Sequence, residues 1–156
     1  MTGLDIVFTD KPLKKREYDT RDVFGSSVPD CISGPEILFS EITENETYTV
    51  GSLFPKLIKY KVWRSVRFGY DRLTSSEESC NREKTALNWL FNMIRDHLNE
   101  GATKFYYACL WYDKSTDEES PEFVKMDLDA FELPRVSFVL GRDTVFEFVY
   151  RGGSKG

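Results

Sequence analysis

His97 is the one histidine in 156 residues. Any serine or cysteine nucleophile relay, and any ordinary zinc site, would have to use it. It falls in a stretch of helical periodicity beside apolar residues, where an imidazole usually serves as a satisfied packing residue. No serine stands in a nucleophile-elbow pattern to meet it. Cys31, Cys80 and Cys109 are odd in number and far apart, and no pair has metal-ligand spacing. Cys109 lies in an apolar run and reads as a small hydrophobe. Gly25-Ser26-Ser27 and Gly152-Gly153 lack the spacing of a phosphate-cradling loop. No cofactor and no metal site is expected. A hydrolase or nuclease using carboxylates with Lys59 or Lys61 remains as the alternative chemistry, with no motif behind it.

The pattern that does stand out is charge. Asp113 to Glu132 holds eight acids against two bases, a balance of −6. Residues 1–73 carry eleven bases and eleven acids, so the net charge of −5 belongs to the second half. Lys56, Lys59, Lys61, Arg64, Arg67 and Arg72 against Asp71 make a basic stretch of +5. The plainest account is mutual neutralisation across the fold. The functional account is that clustered carboxylates steer a basic partner. On that account the partner-binding residues are Asp117, Glu118, Glu119, Asp127 and Asp129, with Trp63 and Trp89 as aromatic anchors. A sequence pI near 5.0 argues against nucleic acid as the main partner.

These residues need elements to hold them. Leu87, Leu90, Phe91, Ile94 and Leu98 recur at three- and four-residue steps and predict a helix over Arg82–Glu100, capped by Ser79 or Asn81 and stopped at Gly101. Trp89 and Met93 widen its apolar arc, so the N-terminal loops cover Trp89 or a partner does. Phe105 to Tyr112 is apolar on both faces, the mark of a strand inside a sheet. Leu4–Thr9 reads as a first strand. Lys11–Asp30 is a long polar connection with room for a short helix at Thr20–Phe24. Glu36–Ile42 fits a strand or one or two helical turns, and Tyr48–Val50 a short strand. Ile58–Tyr70 alternates as one long strand or two kinked near Arg64, with Gly69 as a bulge. Glu122–Met126 is a short strand. Arg135–Leu140 and Thr144–Tyr150 read as a hairpin across a three-residue loop.

The expected fold is α+β: an antiparallel sheet of five to seven strands packed on one main helix. Residues 1–150 form a single domain and 151–156 a flexible tail. No apolar run is long enough for a membrane span. The N-terminus carries no secretory pattern, and the cysteine usage suits a reducing, cytoplasmic setting. The functional expectation is a small protein-binding inhibitor, an immunity protein neutralising a basic, nuclease-type toxin domain by occlusion. A phage-type inhibitor belongs to the same class, and an assembly module is the remaining alternative.

Overall fold

A computed structural model describes residues 2–25, 36–42, 54–112, 122–141 and 143–152. Its elements in chain order are β1 (Thr2–Thr9), β2 (Glu17–Tyr18), α1 (Thr20–Phe24), β3 (Ile37–Glu41), β4 (Ile58–Arg64), β5 (Gly69–Asp71), α2 (Glu77–Asn99), β6 (Phe105–Tyr112), β7 (Glu122–Asp127), β8 (Ser137–Val139) and β9 (Thr144–Val149). Seven strands form one sheet in the order β2-β3-β4-β1-β6-β9-β7, and β5 pairs with β8 in a small second sheet. All pairs are antiparallel except β7 with β9. The α+β architecture expected from the sequence is present.

The helix α2 lies on one face of the large sheet. Its Leu87, Leu90, Phe91 and Ile94 share a buried cluster with Val7, Tyr60, Val62, Phe105, Tyr107, Phe146 and Phe148. Strand alternation sends Ile6, Phe8, Ala108 and Val145 to the other face, where Ile42, Phe54, Leu57 and Tyr106 pack on them. Phe54 stacks on Tyr106 at a centroid distance of 4.2 Å and meets Phe8 edge-on at 5.0 Å. Over Phe105–Cys109, strand β6 is thus covered on both sides, and it is flanked by β1 and β9, as its doubly apolar sequence requires.

Three details depart from the sequence reading. The helix begins at Glu77, with Ser76 as N-cap instead of Ser79 or Asn81. The Ser76 hydroxyl accepts the Ser79 N–H at 3.1 Å, and Glu77 and Glu78 complement the positive end of the helix dipole. A polar first turn leaves no apolar periodicity to read. Next, Ile58–Tyr70 is the two-strand alternative, broken after Arg64 with its halves in different sheets, but Gly69 is a close approach rather than a bulge. A Cβ there would sit 2.5 Å from Val139 Cγ2. Finally, Arg135–Tyr150 is not a hairpin. Strand β8 pairs with β5, the Leu140 N–H donates to the Phe68 carbonyl at 3.1 Å, and β9 is taken on both edges by β6 and β7. Phe138 turns in against Phe91 and Phe131, so burial under α2 outweighs local pairing. Thr20–Phe24 is helical as expected, with an Asp19–Asp22 capping box. The strand expected at Tyr48–Val50 lies outside the described residues.

Candidate functional site

The chain from Lys11 to Tyr18 crosses back over α2 and leaves a groove of about 270 Å³ between them. That is just under the range of roughly 300–1,000 Å³ usual for small-molecule sites, a space suited to one inserted side chain. Two rows of α2 residues at four-residue steps make its floor. Trp89, Met93 and His97 form one row, and Asn92, Asp96 and Glu100 the other. Leu13, Lys14, Lys15 and Tyr18 make the opposite wall.

Several contacts hold that wall in place. Leu13 is buried and its N–H donates to the buried Tyr60 hydroxyl at 3.0 Å. The Arg16 guanidinium lies 5.2 Å from the Tyr60 ring and pairs with Glu41 at 3.1 Å. Tyr18 and Trp89 meet edge-to-face at a centroid distance of 4.7 Å, and the Tyr18 hydroxyl donates to the Lys15 carbonyl. At the end of α2, the Lys11 ammonium donates to the Glu100 carbonyl, next to Gly101, whose φ of +119° suits glycine.

Charges around the groove are mostly spoken for. Lys15 pairs with Asp22 at 3.2 Å and lies 5.0 Å from the Tyr18 ring centroid. Lys14 pairs with Glu100 at 3.8 Å, with both side chains exposed. The Asp96 carboxylate makes no hydrogen bond or ion pair among the described residues. The Tyr18 phenol is pushed up to about 12 by burial, with the Asp22, Asp96 and Glu100 carboxylates adding to it.

His97 closes the inner end of the groove. Its Nε2 lies 3.0 Å from Thr9 Oγ1, and its ring meets Phe105 edge-on. Burial lowers its pKa, and the Lys11 charge acts the same way. The Lys11 backbone contact and the Asp10 and Glu100 carboxylates oppose the shift without reversing it. The imidazole is a packed, neutral group at pH 7, as its helical position suggested.

Comparison with protein-family models, with curated proteins and with solved structures gives no match for this chain.

Of the residues expected to bind a partner, the four described ones, Trp63, Trp89, Asp127 and Asp129, do not converge. Trp89 is half-buried in the groove, covered on one side by Tyr18. Trp63 lies on the sheet face away from α2, 54% exposed, with the Lys61 ammonium 4.4 Å from its ring centroid. Asp127 ends the edge strand β7, four strand positions from β4 and so about 19 Å across the sheet. It is half-buried rather than fully exposed, and its carboxylate accepts the Asp129 N–H at 3.0 Å. Asp129 is exposed and accepts the Arg151 N–H at 2.8 Å. Both aspartates thus shape the turn after β7. Asp117, Glu118 and Glu119 lie outside the described residues, as does Cys31. Among the described residues, no group of three His, Cys, Asp or Glu side chains is placed to hold a metal, and no helix is long and apolar enough to cross a membrane.

Sequence reasoning passed over Tyr18, Asp96 and Glu100. The four-residue spacing of Asn92, Asp96 and Glu100 was legible. That Tyr18 would stand opposite Trp89 was not.

Proposed function

We propose that this chain is a protein-binding inhibitor that neutralises a basic partner by occlusion, in the manner of a cytoplasmic immunity protein directed against a nuclease-type toxin. The observation that carries the reading is the groove beside Trp89. It combines half-buried aromatic walls with a carboxylate that has no partner among the described residues, the makings of an interface anchor point. The acidic segment Asp113–Glu132 supports it from the sequence, since clustered carboxylates speed encounter with a basic surface and disfavour acidic ones. Occlusion requires no chemistry from the inhibitor, only a surface that fits its partner.

The test is co-expression and purification with the product of the neighbouring gene. The expected result is a stoichiometric complex in which the neighbour's activity on nucleic acid is abolished and growth of the producing cell is restored. A neighbour that remains active with the chain in molar excess would sink the reading.

A further inference from the structure

We propose that the groove beside Trp89 is a receptor for one arginine side chain of a basic protein partner, with Asp96 as its counter-charge. This inference rests on the inhibitor reading above and assigns the groove its ligand.

The chemistry of the walls makes the choice. An indole face and a polarizable Met93 thioether favour a flat, weakly hydrated cation over a compact ammonium. Tyr18 meets Trp89 edge-to-face and narrows the groove beside the indole. The charge tally points the same way. Lys14 and Lys15 also border the groove, which would suit an anion, but each already has a carboxylate, Glu100 and Asp22 respectively. Among the described residues that line the groove, Asp96 is the carboxylate left without a hydrogen bond or ion pair, and the nearby Lys11 ammonium is held by the Glu100 carbonyl. The fold displays the same chemistry elsewhere: the Arg82 guanidinium lies 4.1 Å from the Phe24 ring centroid while pairing with the buried Glu36 carboxylate at 3.0 Å. An arginine inserted beside Trp89 and Asp96 would repeat that arrangement between two chains.

The probe is N-acetyl-arginine amide, titrated into the isotopically labelled full chain and followed by NMR. Its neutral isostere N-acetyl-citrulline amide and the acidic N-acetyl-glutamate amide serve as comparisons. The arginine probe is expected to shift the Trp89 indole and the Asn92 and Asp96 amides saturably in the millimolar range, leaving the Trp63 indole unmoved. The Asp96→Asn variant, altered at an exposed helix position, should keep the native spectrum and lose about tenfold in affinity. Equal shifts with citrulline, shifts with glutamate alone, or no shifts at the groove overturn the assignment. The two readings fail separately. A basic partner bound equally well by wild type and Asp96→Asn overturns the arginine groove and leaves the inhibitor reading standing. Saturable arginine binding at the groove supports the assignment even if the neighbouring gene product is not the target.

Discussion

His97 Nε2 and Thr9 Oγ1 lie 3.0 Å apart, joining the last turn of the main helix to the end of the first strand inside the core. Burial makes the imidazole harder to protonate in the folded chain than in the unfolded one. The folded pKa is therefore depressed, and the unfolded state binds the proton more readily. The stability tied to this group is full above the ordinary histidine value of about 6.5 and is lost as pH falls through it toward the lower folded value. Chemical denaturation at a series of pH values should show stability declining with acidification in this window, and His97→Gln should flatten that part of the curve. An unchanged slope in the variant would show that carboxylates alone carry it.

Leu90 is fully buried between α2 and the sheet. Leu90→Ala should cost about 2–5 kcal/mol, from lost apolar transfer and the cavity left behind. Urea or guanidinium unfolding measures it. A loss under about 0.5 kcal/mol would contradict the packing, because surface substitutions alone fall in that range.

At Gly69 an added Cβ meets Val139 Cγ2 at 2.5 Å, Cβ at 2.8 Å and Cα at 3.0 Å. The backbone atom cannot move aside cheaply, so Gly69→Ala should destabilise by about 1–3 kcal/mol. Gly141→Ala, where an added Cβ has nothing within 4 Å, is the matched control and should be near neutral. Thermal melts of the two variants side by side decide the point; equal midpoints would refute the close approach.

The Cys109 thiol is buried, its Sγ donates to the Leu140 carbonyl at 3.4 Å, and burial pushes its pKa up, with the nearby Asp5 carboxylate adding to the shift. Thiolate is the reactive form, so Cys109 should resist alkylation in the native chain and react fully in denaturant. Mass mapping of iodoacetamide adducts reads this site by site. Rapid native labelling of Cys109 would mean that the β5–β8 flap opens readily.

For the acidic segment, reversing Asp117, Glu118 and Glu119 to Lys should slow association with the cognate basic partner and weaken its dependence on salt, leaving the fold stable. Charges at the rim of an interface act mainly on encounter and are screened over about 10 Å at 0.1 M salt. Association rates against ionic strength for wild type and triple variant provide the measurement. Identical rates and slopes would assign these residues to a solvated loop.

Much of the fold was legible because side-chain periodicity records which faces are apolar. The stripe Leu87-Leu90-Phe91-Ile94 announced α2, and Gly101 marked its end through a backbone angle that favours glycine. The doubly apolar Phe105–Tyr112 required a strand with neighbours on both edges, and β6 has them. Periodicity does not name the neighbour. Ser137–Val139 looked like the partner of the strand that follows it, yet β5 holds it, because Phe138 gains burial beside Phe91 that a local hairpin would forgo. Tyr18 belongs to a two-residue strand too short to signal itself, and only the pairing Tyr18↔Ile37 brings its ring to Trp89. The sequence by itself determined the elements, their buried faces and the acidic balance, since these follow from local spacing and composition. The tertiary structure decided the strand order, the burial of His97 against Thr9 and the groove at Trp89, since these depend on which distant segments win the competition for the same sheet edges and the same face of α2.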